Sequence, residues 1–224
     1  MTTVLISGAN RGIGLELARQ YAADGARVIA GVRDPGAALA LKAISGVEVH
    51  TLDVADEASV QAFHQAVGEL PVDILIANAG VGGGRSVLGE LDFDRWLQTL
   101  NVNSLGPVRL AQAFLPNVKA SADKKMVAIS STLGSTSTHA GDMFAYRASK
   151  AALNNAWVGL AAALKGEGLT FLLLHPGWVK TDMGGAGAQI TPAASAEGLR
   201  ERIAEAGPAL SGRLFAYDGE PLPW

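Results

Sequence analysis

The feature that most constrains the fold is a regular alternation of short apolar segments with longer amphipathic ones along the chain. Several short segments are apolar almost throughout, as are strands of a parallel sheet covered on both faces. Strands are predicted at residues 4–7, 27–32, 48–52, 72–77, 126–130, 170–174 and 213–216. Helices are predicted at residues 13–23, 35–43, 57–69, 93–114, 144–164 and 196–206.

Strands that alternate with helices over short connections form right-handed βαβ units. The predicted fold class is therefore α/β: a Rossmann-type, doubly wound sheet of seven parallel strands with helices on both faces. A chain of 224 residues with 49% hydrophobic residues can build one large core of this kind. Since no linker or repeat divides the sequence, we expect residues 1–224 to form a single domain.

Composition excludes several classes of function. The chain has no cysteine, which excludes disulfides, thiol catalysis and zinc–thiolate sites. Its four histidines never occur at a metal-ligand spacing, so we predict no metal site. A formal net charge of −3 with scattered basic residues argues against nucleic acid binding. No segment approaches the roughly 20 apolar residues of a membrane span, and we expect a cytoplasmic protein without a membrane partner.

A glycine-rich turn follows the first predicted strand. Glycines 8, 12 and 14 are spaced G-x-x-x-G-x-G, which differs from the G-x-G-x-x-G dinucleotide fingerprint but permits the same contacts. Gly8 allows a tight exit from the strand, Gly12 lets the backbone approach a phosphate, and Gly14 lets the helix pack closely. A dinucleotide pyrophosphate is expected at the N-terminus of the helix that begins near Ile13, in preference to a glycine loop without a ligand.

The end of the second strand indicates which dinucleotide is bound. An NAD site places a carboxylate there for the ribose 2′-hydroxyl, whereas an NADP site needs a cation for the 2′-phosphate. Arg33 stands at this position, and Arg11 in the glycine loop supplies a second cation. Asp34 is the competing carboxylate, but its place before Pro35 is typical of a helix cap. We therefore predict NADP(H) as the cofactor, with NAD(H) less favoured.

Tyr146 and Lys150 lie four residues apart on the helix predicted at 144–164, so their side chains share one face. Such pairs are common on helix surfaces, and the spacing alone does not indicate catalysis. An unperturbed tyrosine titrates near 10, which is too high for efficient acid/base work at neutral pH. A neighbouring ammonium favours the phenolate, so Lys150 is expected to lower the pKa of Tyr146.

Taken in chain order, these motifs resemble the short-chain dehydrogenase/reductase family nearly from end to end. The resemblance is carried by the loop at residues 8–14, Asp53-Val54, Asn78-Ala79-Gly80, Asn103, Ser131, Tyr146-x-x-x-Lys150 and the segment from Pro176-Gly177 to Thr181. Within the family, the small C-factor-like and sniffer-like carbonyl reductases are the most similar. Residues 146–154, 178–185 and 221–224 carry that closer likeness.

The resemblance implies a role for each of these residues. Tyr146 is implied as the acid/base, with Lys150 binding the nicotinamide ribose. Ser131 is implied to bind the substrate oxygen, and Asn103 to hold a water that relays protons from Lys150. The implied cofactor-binding residues are Gly8, Asn10, Arg11, Gly12, Ile13, Gly14, Arg33, Asp53, Val54, Asn78, Ala79, Gly80, Tyr146, Lys150, Pro176, Gly177, Val179 and Thr181.

Some assignments leave alternatives. The segment from Ser131 to Tyr146 is about two residues longer than in the commonest family pattern, so Ser130 and Ser135 remain weaker candidates for the serine. Ser130 precedes Ser131 on the strand and is expected to point to the opposite face. Asn101 is an alternative to Asn103.

Side chains outside the implied site have less specific expectations. Large apolar groups at helical spacing usually pack, and cations outside a motif usually lie at the surface. We expect packing roles for Trp96, Trp157 and Leu153, and surface or rim positions for Arg147 and Lys180.

The sequence thus predicts an NADP(H)-dependent oxidoreductase that interconverts a small carbonyl compound and an alcohol. The resemblance implies a homodimer or homotetramer that uses the helices at 93–114 and 144–164. The alternative is a dinucleotide-binding regulatory protein of C-factor type; a sugar-nucleotide epimerase is disfavoured, because too few residues follow Lys150 for its substrate domain. Residues 82–87, with Arg85, and the glycine-rich residues 183–190, expected to form a mobile open lid, are the candidate pocket loops.

Overall fold

A computed structural model describes residues 1–84 and 86–224. Seven strands form one parallel sheet in the order β3-β2-β1-β4-β5-β6-β7. Every strand lies within two residues of its predicted bounds, which confirms the doubly wound α/β fold. The strands are β1 (Thr3–Ser7), β2 (Arg27–Val32), β3 (Val47–Thr51), β4 (Ile74–Ala77), β5 (Lys125–Ile129), β6 (Thr170–His175) and β7 (Arg213–Ala216).

Helices cover both faces of the sheet, because alternate strand residues point to opposite sides. Val4 and Ile6 belong to a core with α1, α2 and α7, whereas Leu5 belongs to a second core with α3, α5 and α6. Trp157 and Leu153 are fully buried in the second core, which confirms their packing role. The helices are α1 (Gly12–Ala23), α2 (Leu39–Lys42), α3 (Glu57–Val67), α4 (Phe93–Leu100), α5 (Gly106–Lys119), α6 (Phe144–Ala163) and α7 (Pro192–Glu205).

The strand order reverses between β1 and β4, which pair in parallel although β2 and β3 separate them in the chain. Connections from these two strands leave toward opposite faces, which opens a crevice beyond their carboxyl ends. The glycine-rich turn follows β1 and Asn78-Ala79-Gly80 follows β4, so both motifs border that crevice.

The helix predicted at 93–114 differs from the one observed. A π-helical turn at Asn101–Leu105 separates α4 from α5, and the N–H of Gly106 donates to the carbonyl of Asn101. Pro107 has no N–H to donate to the carbonyl of Asn103 four residues earlier, which disfavours a regular α-helical turn here. The long helix therefore contains a local irregularity at Asn103.

Two other predicted helices have different starts. The helix predicted at 35–43 contains only α2, because the carboxylate of Asp34 accepts from the N–H groups of Gly36 (2.8 Å) and Ala37 (3.2 Å) in a turn. The prediction that Asp34 caps a helix with Pro35 in its first turn was therefore wrong. α7 begins four residues earlier than predicted, at Pro192, where the Thr191 hydroxyl accepts from the N–H of Ala194.

The strand β7 lies at one edge of the sheet, and the residues after it fold back along it. The N–H of Ala216 donates to the carbonyl of Glu220, and that of Leu222 donates to the carbonyl of Leu214. Phe215 and Pro221 form an antiparallel bridge between these bonds. None of the helices in the described ranges, 1–84 and 86–224, combines the length and apolarity that crossing a bilayer requires.

Candidate active site

A cleft of about 450 Å³ lies in the crevice at the carboxyl ends of the strands. All the predicted cofactor-binding residues line it except Gly177 and Val179. Tyr146 and Lys150 form its inner wall next to the glycine turn. Met183, from the candidate pocket loop at residues 183–190, also lines the cleft, and so do Gly31, Val81 and Asp182, to which the sequence gave no role.

The glycine turn is built for close backbone approach. Gly8 has a φ of +69°, and a Cβ there would lie 2.8 Å from the Cα of Ala79. Gly12 has a φ of +56°, and a Cβ on Gly14 would lie 2.4 Å from the carbonyl oxygen of Gly8. No side chain fits at these positions, so backbone N–H groups at the start of α1 face the cleft. This cradle fits the pyrophosphate of a dinucleotide.

Hydrogen bonds fix the glycine turn to the end of β4. The Ser7 hydroxyl accepts from the N–H groups of Asn78 and Ala79, both at 3.1 Å. The Asn78 side-chain amide donates to the carbonyls of Ser7 and Gly8, both at 3.1 Å. Asn78 therefore holds two loops together as well as lining the cleft. Ser7 was missed by sequence reasoning, since a single hydroxyl in an apolar strand gives no recognisable signal.

The cations around the cleft have unequal surroundings. Arg33 is exposed at the end of β2 and lines the cleft. Arg11 instead forms an ion pair of 2.7 Å with Asp182, on the loop after β6, although both side chains are largely exposed. Lys180 also lines the cleft, so the rim position expected for it is correct. Arg33 is thus a freer candidate than Arg11 for a 2′-phosphate.

Hydrogen bonds within the loop after β6 fold it back on itself, and its mobility as a lid stays a prediction. The indole N–H of Trp178 donates to the carbonyl of Gly184 at 2.8 Å. The Thr181 hydroxyl accepts from the N–H of Gly184 at 3.2 Å, and Val179 and Ile190 form a parallel bridge. Val179 is buried in this fold-back and does not reach the cleft, while Thr181 is presented to it.

Tyr146 and Lys150 lie side by side on α6, facing the cleft. The Lys150 Nζ is 5.7 Å from the centroid of the Tyr146 ring and donates to the carbonyl of Ile129 at 2.8 Å. Lys150 is only 5% exposed, and its carbonyl partner lies at the end of β5. The predicted helical spacing therefore does bring the Tyr146 ring and the Lys150 ammonium to the same cleft.

Burial dominates the protonation of this pair. Burial lowers the pKa of Lys150 to about 8, because a buried ammonium loses its hydration. Burial likewise raises the pKa of Tyr146, and hydrogen bonding by the Ser131 hydroxyl opposes this. Lys150 is not among the protein groups that lower the pKa of Tyr146, contrary to the sequence expectation. Ser131 takes that role in this arrangement.

The three candidate serines have different partners. The Ser131 hydroxyl interacts with Tyr146 and accepts from the N–H of Leu133 at 3.1 Å. The Ser130 hydroxyl donates to the side-chain oxygen of Asn154, which lies on α6 as Tyr146 does, and the expected opposite orientation of Ser130 stays a prediction. The Ser135 hydroxyl pairs with that of Ser137 at 2.7 Å. Of the three, Ser131 is the one placed to work with Tyr146.

Asn103 lies in the π-helical turn and is completely buried. Its side-chain amide donates to the carbonyl of Val81 (2.8 Å) and to the Ser149 hydroxyl (3.0 Å), and its oxygen accepts from the N–H of Val81 (2.8 Å). The Ser149 hydroxyl donates to the carbonyl of Tyr146 at 2.7 Å. Asn101 bonds the carbonyl of Ala55 instead. Asn103 thus ties the loop after β4 to the helix that carries Tyr146.

Arg147 is buried rather than at the surface, which corrects the sequence expectation. Its guanidinium donates to the Asp142 carboxylate at 3.1 Å and to the carbonyl of Thr138 at 3.2 Å. Met143, directly before α6, has a φ of +49°. Arg147 therefore anchors the longer segment that precedes Tyr146. Arg85, the cation of the candidate pocket loop at residues 82–87, lies outside the described residues.

His175 is a buried titratable group at the end of β6 that the sequence reasoning set aside. Burial lowers its pKa to about 4, and nearby Lys150 adds to this, while Asp218 opposes it. The unfolded chain therefore binds a proton near pH 6.5, whereas the folded protein does so only near pH 4.

We expect the free energy of unfolding to fall by about 3 kcal/mol as the pH drops from 6.5 to 4, because only the unfolded state gains the His175 proton in that window. Urea unfolding across this range, with His175→Leu as the variant, measures the contribution. The slope of the unfolding free energy against pH should be shallower in the variant than in the wild type. Equal slopes for His175→Leu and the wild type would contradict the assignment.

The sheet, the glycine turn at its switch point and the Tyr146–Lys150 pair define a dinucleotide-binding α/β oxidoreductase. The model of the short chain dehydrogenase family matches residues 2–189. The chain therefore belongs to that family. Its cofactor is a nicotinamide dinucleotide, and its substrate is a small molecule.

Individual relatives agree with the resemblance to C-factor-like and sniffer-like proteins. C-signal of Myxococcus xanthus is 41% identical over 166 residues, which is 74% of this chain and 100% of C-signal. The carbonyl reductase Sniffer of D. melanogaster superposes with a TM-score of 0.93 at 30% identity, covering 100% of both chains. The NADPH-bound carbonyl reductase from chicken fatty liver has a TM-score of 0.94 at 31% identity, covering 100% of this chain and 99% of that one.

Proposed function

We propose that this protein is an NADP(H)-dependent reductase that interconverts an aldehyde or ketone and an alcohol, with Tyr146 as the acid/base. The observation that carries the proposal is that Tyr146 and Lys150 line the same cleft as the glycine turn, with the Ser131 hydroxyl hydrogen-bonded to Tyr146. A proton donor and a charge-stabilising donor at one point of a cofactor cleft are what carbonyl reduction requires.

When bound, the nicotinamide supplies the hydride that is added to the carbonyl carbon. Tyr146 donates its phenolic proton to the carbonyl oxygen, and Ser131 donates a hydrogen bond to the same oxygen as negative charge develops. With a pKa of about 8, Lys150 is mostly protonated at neutral pH and is proposed to donate a hydrogen bond to the nicotinamide ribose. Asn103 hydrogen-bonds both Val81 and Ser149 of α6 and so holds these two parts of the site together. A water-relay role for Asn103 stays a prediction.

The preference for NADP(H) rests on Arg33. Its guanidinium is exposed where the adenosine ribose is expected, while Asp34 is engaged in its own turn. The chicken carbonyl reductase, whose description includes bound NADPH, supports the same choice. Thr181, Lys180 and the backbone of the glycine turn are the other groups proposed to hold the cofactor.

Arg33→Ala is expected to weaken NADPH binding about 10- to 100-fold and NADH binding by less than about twofold, because charge-assisted hydrogen bonds are worth about 1.5–3 kcal/mol. Titration of both nucleotides by fluorescence measures the change. Arg213→Ala, an exposed arginine on the edge strand, is the matched control and should change neither affinity. Equal losses for NADPH and NADH would contradict the role given to Arg33.

Hydride transfer tests the proposed function directly. The protein is incubated with NADPH deuterated at the transferring position and with a panel of aldehydes and ketones, and the products are analysed by mass spectrometry. We expect deuterium on the carbinol carbon of at least one product alcohol. Tight NADPH binding without transfer to any member of the panel would contradict the proposal.

A second candidate function is that of a dinucleotide-binding regulatory protein with little turnover. The 41% identity to C-signal favours it, because the name of that relative describes a signal. The placement of Ser131, Tyr146 and Lys150 as a working set favours the enzyme. The transfer experiment separates the two, since only the enzyme gives labelled alcohol.

A further inference from the structure

The residue directly before Ser131 is tied to α6, the helix that carries Tyr146, by one buried hydrogen bond. The Ser130 hydroxyl donates to the Asn154 side-chain oxygen at 2.5 Å. The two residues are 1% and 3% exposed, so water does not compete for the bond. Ser130 directly precedes Ser131, and Asn154 lies one turn beyond Lys150 on the same face of α6.

A tight packing contact reinforces that bond. A Cβ on Gly134 would lie 2.9 Å from the carbonyl carbon of Lys150 and 3.0 Å from the Asn154 amide nitrogen. The short 3-10 turn Thr132–Gly134, which begins at Ser131, therefore rests directly on α6. The segment carrying Ser131 thus meets the helix at two neighbouring points, one polar and one steric.

These contacts affect the distance between the Ser131 and Tyr146 hydroxyls. Ser131 opposes the burial-induced rise in the pKa of Tyr146, so its effect depends on the distance between the two hydroxyls. That distance is set by how the end of β5 sits against α6. The buried Ser130–Asn154 bond connects these two elements where each bears a proposed catalytic residue.

We propose that Ser130 and Asn154 are positioning residues, whose hydrogen bond holds the Ser131 hydroxyl against Tyr146 for proton transfer. The inference rests on the proposed carbonyl reduction and assigns it two residues that act through Ser131 and Tyr146: the Ser130 hydroxyl is engaged with Asn154, although Ser130 also lines the cleft. Loss of either partner lets the Ser131 segment shift on α6, and displacements of this order cost up to about 100-fold in rate.

The test compares Ser130→Ala, Asn154→Ala and the double variant with the wild type in NADPH-dependent reduction of a carbonyl from the panel. We expect each single variant to lower kcat ~10-fold with KM changed less than about twofold, and the double variant to lose no more than either single one. The alkaline limb of the kcat profile should move to higher pH, because Tyr146 loses the hydrogen bond by which Ser131 lowers its pKa. NADPH affinity should stay within about twofold of the wild type.

Two further variants separate positioning from general destabilisation. Ser130→Thr keeps the hydroxyl. It should retain most of the wild-type kcat, and the alkaline limb of its kcat profile should stay near the wild-type position. Ser121→Ala removes another buried serine bond, to the carbonyl of Val118 at 2.9 Å, at the end of α5. It should lower the melting temperature comparably to Ser130→Ala while leaving kcat unchanged. If Ser130→Ala does not fold, Asn154→Ala and Ser130→Thr decide the same question.

The inference is overturned if the variants that fold show the wild-type kcat and the wild-type alkaline limb of the kcat profile. It is also overturned if the kcat losses of the two single variants multiply in the double variant. It is also overturned if Ser121→Ala loses as much kcat as Ser130→Ala. Absence of turnover in the wild type contradicts the proposed function, and the positioning role with it. Wild-type turnover with unaffected variants contradicts the positioning role alone.

Discussion

Replacing Tyr146 with phenylalanine is expected to lower kcat for NADPH-dependent carbonyl reduction about 10³-fold, because the substitution removes the proton donor and leaves the ring in place. NADPH affinity should remain within about twofold of the wild type, since the glycine turn and Arg33 are untouched. Steady-state kinetics and nucleotide titration measure the two quantities separately. The large effect in kcat alone is the signature of a group that acts in the transition state.

Tyr21→Phe is the matched control for that substitution. Tyr21 is a buried tyrosine on α1, with the guanidinium of Arg200 4.8 Å from its ring centroid, far from the cleft in the fold. Its replacement should leave kcat within about twofold of the wild type. A Tyr146→Phe protein that reduces the same carbonyl at the wild-type rate would rule out Tyr146 as the acid/base.

The second large effect is expected for Gly14→Ala. The added methyl would lie 2.4 Å from the carbonyl oxygen of Gly8 and 2.5 Å from the side-chain nitrogen of Asn78. Both atoms belong to the hydrogen bonds that fix the glycine turn. We expect a loss of about 3 kcal/mol in the free energy of unfolding and NADPH binding at least about 100-fold weaker.

Gly159→Ala provides the contrast within the same protein. Gly159 lies in α6, and a Cβ there meets no atom within 4 Å. This substitution should stabilise the protein by up to about 1 kcal/mol, because alanine is the better helix former. Urea unfolding and NADPH titration of both variants measure the difference. Wild-type NADPH affinity in Gly14→Ala would contradict the close-packing role of that glycine.

Most of the fold was predictable because several strands, such as β1, β4 and β6, are nearly continuous apolar runs that are buried in the sheet. The errors fell where a local polar contact decides the backbone. Asp34 gave the signal of a helix cap, yet its carboxylate bonds the next two N–H groups in a turn. The π-helical turn was also missed, since hydrophobic periodicity does not reveal one extra residue per turn.

The site residues that belong to recognisable sequence motifs could be predicted. Spacing placed Tyr146 and Lys150 on one face, and the family resemblance supplied Ser131 and Asn103. Asn154 continues the same stripe at a further four residues, a signal that was available in the sequence and not used. The burial of Arg147 depends on a loop conformation that no spacing encodes.

Electrostatics was the least predictable part. Charge alone suggested that Lys150 would lower the pKa of Tyr146, whereas burial raises it. The outcome depends on how deeply α6 sits against the end of β5, which is a property of the packed protein. Arg11 was likewise expected to be available to a phosphate, and its pairing with Asp182 joins loops 171 residues apart.

The fold-back of residues 219–222 along β7 has a consequence for behaviour at high concentration. An uncovered edge strand invites another molecule to extend the ladder, which is a common route to aggregation. Here the chain supplies its own pairing partner through Glu220 and Leu222, and Pro221 between them has no N–H to offer a newcomer. Residues 219–222 therefore cover this edge of the sheet. Another molecule could pair with β7 only after these residues had detached from it.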